Sequence, residues 1–80
     1  MYFVYVLCGS KQFYTGSTKD LKRRMLEHLG GKCFTTRSGG PWRLVYYEAS
    51  EFEKDARIRE KYLKTAWGKR YIKSRIRNRP

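Results

Sequence analysis

The stretch FYTGSTKDLKRRMLEH, Phe13 to His28, holds Tyr14, four basic residues (Lys19, Lys22, Arg23 and Arg24) and the chain's only histidine. Phenol, guanidinium and imidazole can together hold an anion and move a proton, provided that they converge. The plain alternative is a strand, a turn and a helix with a solvated basic face. A further candidate lies on a second helical stretch. There Phe52, Ala56, Leu63, Ala66 and Trp67 share one face, Arg59 falls inside it, and Glu60 projects at its edge. A carboxylate beside an apolar stripe is costly unless it is paired or coordinated. Glu60 can pair with Lys64 one turn on, worth about a few tenths of a kcal/mol, or offer a hard oxygen to a divalent cation. Arg59 is expected to be structural and to pair with Glu48.

Convergence depends on the elements that carry these residues. Tyr2 to Cys8 is apolar on both faces and rich in strand formers, as a central strand should be. It has no basic leader and is too short for a signal peptide or a membrane span, so it reads as a strand of a soluble, intracellular protein. Gly9-Ser10 signals a hairpin, and Lys11 to Thr15 returns antiparallel. A two-residue loop sets Tyr5 directly opposite Tyr14; a three-residue loop moves them to opposite faces. Gly16 should end the strand, with Ser17, Thr18 or Asp20 capping the following helix. Leu21, Met25, His28 and Leu29 form its apolar stripe, bordered by Arg24, and Gly30-Gly31 stops it.

Residues 32–41 read as a mobile loop, and Trp42 to Ala49 as a third strand. A long helix runs from Phe52 to about Trp67. Gly68 interrupts it, and a short terminal helix follows to Pro80. The order β-β-α-β-α-α predicts an α+β fold: a small three-stranded antiparallel sheet flanked by helices, in one domain over residues 1–80. At 80 residues the core is modest, burying about 60–65% of the unfolded surface. Cys8 and Cys33 have no zinc spacing and, with one histidine to add, fall short of four ligands. A disulfide would satisfy them, but a buried thiol in a reducing compartment is the simpler reading.

Charge points to the partner. Nineteen Lys+Arg against seven Asp+Glu give +12, and a compact domain this basic suits a polyanion. Residues 54–80 hold eleven Lys+Arg and two acids, a local +9. Tyr71, Ile72 and Ile76 can anchor this tail while its cations face solvent. Lys64, Lys69, Arg70 and Lys73 are candidate phosphate contacts, with Lys32, Arg37 and Arg43 a second set across a cleft. The plain alternative is a solvated basic helix, or a ribosome-associated basic protein.

Phe3-Val4-Tyr5, then Tyr14-Thr15-Gly16, then Arg24 and His28, then Glu60 within ARIREKYLK, form an ordered set over residues 2–77. The chain resembles a small single-domain bacterial member of the GIY-YIG endonuclease superfamily, of the excinuclease-like or homing-endonuclease-like kind. Phe3, Val4 and Thr15 depart from the motif letters. Ser17 stands where some members carry a lysine that assists a tyrosine, so activation by lysine does not carry over.

The resemblance implies metal-dependent hydrolysis of nucleic-acid phosphodiesters. It implies Glu60 as the ligand of Mg²⁺ or Mn²⁺, Arg24 on the scissile phosphate, Tyr5 or Tyr14 on the attacking water, and His28 as a hydrogen-bond partner or proton relay. DNA is the expected substrate, with RNA the alternative, in a cytoplasmic or nucleoid-associated setting with a role in DNA repair. Weak, structure-selective binding is expected, with specificity left to a homodimer or a larger repair partner. The competing reading is a DNA- or RNA-binding module of this fold that does not cut.

Overall fold

The computed structural model describes residues 1–31, 36 and 39–76. Its elements are β1 (Tyr2–Cys8), β2 (Phe13–Thr18), α1 (Leu21–Leu29), β3 (Arg43–Ser50), α2 (Glu53–Leu63) and α3 (Ala66–Arg75). The sheet is antiparallel with the order β2-β1-β3. The expected α+β class and element order are both present.

β1 is apolar on both faces because both are covered. Val4 and Val6 face a cluster completed by Ala56 and Leu63 of α2, Ile72 of α3 and Ile76. Tyr5 and Leu7 point the other way and pack with Trp42, Tyr14 and the α1 residues Leu21 and Met25. The sheet therefore separates an α1 layer from an α2–α3 layer, with β2 at one edge. A one-residue bulge opposite Val6 and Leu7 shifts the β1–β3 register.

Several local expectations are corrected. The hairpin loop has four residues, not two. Cys8 pairs with Phe13, and the Gly9 N–H closes the loop by donating to the Gln12 carbonyl at 2.8 Å. Tyr5 therefore faces Gly16, and Leu7 faces Tyr14. A shift of two residues preserves the face where a shift of one would reverse it. Tyr5 and Tyr14 remain neighbours on the diagonal, with ring centroids 6.3 Å apart.

Gly16 does not end β2, which continues to Thr18. Gly16 is buried because Tyr5 lies over it: a Cβ there would sit 2.6 Å from the Tyr5 hydroxyl. Asp20 is the cap of α1, accepting from the Arg23 N–H at 3.1 Å. Leu29 leaves the expected stripe and is exposed, whereas His28 is buried.

The long helix breaks earlier than Gly68. α2 ends at Leu63, and Thr65 caps α3 by accepting from the Gly68 N–H at 3.2 Å. Gly68 lies inside α3, where any Cβ would collide with the backbone of Tyr62 and Leu63. It permits the two helices to pack tightly at the corner. Phe52 and Trp67, expected on the apolar face, are exposed: Phe52 is the N-cap residue of α2, ahead of its first turn, and the turn at Lys64–Thr65 redirects the chain before Trp67. Trp42 precedes β3 rather than opening it, and its ring turns into the α1-side core. Cys8 is a half-buried free thiol, and Cys33 lies outside the described residues.

Candidate nuclease site

Four of the five expected site residues meet on the α1 side of the sheet. Tyr5, fully buried, places its Oη 2.8 Å from His28 Nε2. Arg24 Nε donates to the same oxygen at 3.4 Å. His28 Nδ1 lies 2.6 Å from Thr36 Oγ1. One direction satisfies this row throughout: Arg24 Nε–H to Tyr5, the Tyr5 hydroxyl to His28 Nε2, and His28 Nδ1–H to Thr36. The row needs neutral imidazole. Burial pushes the His28 pKa below its usual value, and the nearby Arg24 charge pushes it the same way, outweighing Glu27.

Tyr14 stands over this row. Its ring centroid lies 5.3 Å from His28 and 6.4 Å from Trp42. Unlike Tyr5 it is half-exposed, and among the described residues its hydroxyl has no hydrogen-bond partner. It also lines an open groove of about 340 Å³ with Lys64, just after α2, and Lys69 of α3. Tyr14 thus touches both layers, because β2 is the edge strand.

Glu60 comes to that edge from the opposite face and hydrogen-bonds to neither tyrosine. Its Oε1 accepts from Ser17 at 2.6 Å, and its Oε2 from Lys64 Nζ at 2.9 Å. Ser17 follows Gly16, so its side chain points into the α2 layer while Tyr5 occupies the α1 layer. Burial alone would raise the Glu60 pKa. The hydrogen bonds from Ser17 and Lys64, with the charges of Lys64 and Arg57, outweigh it and hold the carboxylate below its usual range. Glu60 therefore pairs with Lys64, as one reading expects, and it is an ionised carboxylate whose partner Lys64 lines the edge groove. A second groove, of about 270 Å³, lies between Ser17 and Arg57.

Among the described residues no three His, Cys, Asp or Glu side chains form a metal cluster. A hydrated Mg²⁺ does not need one, since a single carboxylate with water and substrate phosphate oxygens suffices. Glu60 fits that kind of site: it is ionised, its side chain is 21% exposed, and each oxygen has lone pairs left after its present bond.

Arg24 is oriented by Glu27, which accepts from its Nη1 at 2.9 Å. Arg59 pairs with Glu48 at 2.6 Å, as expected, and lies over the Tyr62 and Tyr71 rings. Of the phosphate candidates, Lys64 and Lys69 line the Tyr14 groove, and Arg70 and Lys73 are exposed on α3. Arg43 is exposed opposite Cys8, at the same end of the sheet as Phe13. Lys32 and Arg37, with Arg77 and Arg79 of the basic tail, lie outside the described residues.

Two site residues escaped sequence reasoning. Thr36 is 2% exposed and is held from both ends, its hydroxyl by His28 and its carbonyl by Trp42 Nε1 at 2.7 Å. At its described positions the 32–41 connection is thus anchored, not loose; the Gly39 carbonyl also accepts from the Ser10 N–H at 2.9 Å. Ser17 is the other, and its one signal was its place directly after Tyr-Thr-Gly.

The model of the GIY-YIG catalytic domain matches residues 1–73. A UPF0213 protein of Clostridium perfringens is 42% identical over 67 residues, covering 80% of this chain and 71% of that protein. One from Limosilactobacillus reuteri is 37% identical, covering 79% and 70%. The NMR structure of a UPF0213 protein from Bacillus halodurans superposes with a TM-score of 0.57 at 35% identity, covering 91% of this chain and 82% of the other. Among the described residues no helix is long and apolar enough to cross a membrane.

Proposed function

The chain belongs to the GIY-YIG nuclease family, and from that premise we propose that it is a divalent-metal-dependent endonuclease that hydrolyses phosphodiester bonds of DNA. The observation that carries the reading is the placement of Tyr14, half-exposed between the Tyr5–His28–Arg24 row and the groove bordered by Lys64 and Lys69. In this reading Tyr14 meets substrate and water, and Tyr5 does not. Tyr5 is wholly buried, with its hydroxyl between His28 and Arg24, so its work is to hold Arg24 and to support the Tyr14 ring.

Arg24 is 34% exposed, and its planar guanidinium suits a phosphate. Its charge offsets the negative charge that builds up in the transition state. With the row in that direction, neutral His28 accepts from the Tyr5 hydroxyl at Nε2 and donates from Nδ1 to Thr36. Glu60 would hold Mg²⁺ or Mn²⁺, which supplies positive charge for the phosphate and the leaving oxygen. Lys64 and Lys69 bind backbone phosphates and position the strand along β2.

A second reading, a module that binds without cutting, is favoured by one observation: Lys64 already occupies Glu60. A nicking assay with Mg²⁺ or Mn²⁺ on supercoiled, single-stranded and branched DNA separates the two. Glu60→Ala and Tyr14→Phe should each remove cleavage and leave DNA retention nearly unchanged. If wild type retains DNA as its variants do and cuts no substrate, the nuclease reading fails and the module stands. A marked preference for RNA would move the substrate class.

A further inference from the structure

Trp67 is 68% exposed, the most exposed of the chain's large apolar side chains among the described residues. It stands on the first turn of α3, on a helix whose charged residues, Lys69, Arg70, Lys73 and Arg75, are all basic. An indole in water gains nothing for the fold, and this one belongs to neither core cluster. Its recorded partner is Arg70, whose guanidinium lies 4.8 Å from the ring centroid. That contact backs part of the indole with a cation and leaves most of it in solvent.

Elsewhere in the helical layer Arg59, paired with Glu48, lies over the rings of Tyr62 and Tyr71, with Tyr62 41% exposed. Aromatic faces interleaved with cations suit a ligand that is at once flat, apolar and polyanionic. Single-stranded nucleic acid is such a ligand, since every unpaired base presents a π-face and every linkage a charge. A duplex hides those faces in its stack. An acidic peptide offers charge, but no series of flat rings.

We infer that Trp67, backed by Arg70, is a stacking platform for an unpaired base, so that α3 selects single-stranded or splayed nucleic acid for the site. The inference deepens the nuclease reading by naming the substrate class, but its test contains no divalent cation and does not depend on cleavage. On the helical wheel Trp67 lies away from Lys69, which borders the Tyr14 groove. The platform therefore engages a flanking nucleotide, not the one being cut.

The chain has two tryptophans, and Trp42 is 7% exposed, so a ligand that stacks on Trp67 can be followed by fluorescence. The probes are an oligothymidylate and a hairpin duplex of equal charge, in EDTA. The oligothymidylate should quench the exposed emission. Trp67→Ala should weaken single-strand binding by about five- to a hundredfold, the range of one base stacked on an aromatic ring. Duplex binding should change less than about twofold, with the same salt slope for both ligands, because no phosphate contact is lost. Trp67→Phe should restore most of the single-strand affinity. Absence of quenching, or equal losses on both probes, overturns the platform and leaves the exposed indole to a protein partner. Quenching without cleavage in the metal-containing assay would sink the nuclease reading and leave the platform standing.

Discussion

The two faces of the sheet solve different problems with polar groups. On the α1 side Tyr5, His28 and Thr36 are all buried and joined end to end, and the dry surroundings keep the imidazole neutral. On the α2 side Glu60 keeps its charge because Ser17 and Lys64 donate to it at a half-open edge. A buried row of neutral hydrogen bonds fixes geometry and has few alternatives. An edge carboxylate paired with a flexible lysine can exchange that partner for another cation at small cost. The comparison assigns positioning to the first region and exchangeable binding to the second, with Tyr14 touching both.

Gly16→Ala should separate the regions most sharply. The new Cβ would press on the Tyr5 hydroxyl, and Tyr5 must leave His28 or push β2 outward. A displacement of that size is expected to reduce cleavage about 10²-fold or more and stability by about 1–3 kcal/mol. Mn²⁺ binding at Glu60, on the other face, should persist in calorimetry. If cleavage survives while Tyr5 is displaced, the buried row is not a positioning device.

Thr36→Val tests the far end of that row. The shape is retained, but His28 Nδ1 loses its buried partner, at about 1–3 kcal/mol in urea unfolding. Cleavage should fall in proportion to the loosening of Tyr5, while DNA retention is unchanged. An unchanged unfolding free energy would mean that the Thr36 bond contributes nothing.

Those two residues also show where sequence reading stops. Strand identity, the central place of β1, the face shared by Tyr5 and Tyr14, and the Arg59–Glu48 pair follow from alternation, composition and helical spacing. The hairpin register was read two residues short, because Gly9-Ser10 resembles a tight turn while the loop uses Lys11 and Gln12 as well. Gly16 and Gly68 read as breaks, yet each is a close approach: Tyr5 over one, the end of α2 against the other. Thr36 was not legible at all. Its burial depends on Trp42 and His28 arriving from distant parts of the chain, and no local pattern marks that. The family resemblance named the five candidate residues, but not the division of labour between the faces.

Acid should distinguish the regions by window. The folded His28 pKa is depressed below its value of about 6.5 in an unfolded chain. The unfolded chain then takes up a proton that the native one refuses, so His28's contribution is whole above that value and declines as pH falls. The slope approaches about 1.4 kcal/mol per unit between the unfolded and folded values. Glu60 is depressed as well, from 4.5, so its contribution is lost only at still lower pH. Thermal unfolding from pH 8 to 4 should show a first loss near the histidine range that is absent in His28→Gln. A first loss that persists in that variant would assign it to another group.

The smallest expected effect belongs to Lys64→Ala. The pair with Glu60 has a 55% exposed lysine, so its removal should cost less than about 1 kcal/mol of stability. The informative change is in binding. Without the ammonium, the Glu60 Oε2 oxygen is open and the local positive potential falls, so Mn²⁺ should bind about two- to fivefold more tightly, the equivalent of a weak ion pair. Lys64 also lines the Tyr14 groove, so DNA binding should weaken and its salt slope should drop by about one. Opposite signs for the two ligands are the point of the test: they would mark the lysine as a placeholder for the cation and a contact for the strand. If Mn²⁺ binding weakens together with DNA binding, Lys64 orders Glu60 instead of competing for it, and the exchangeable character assigned to the edge is wrong.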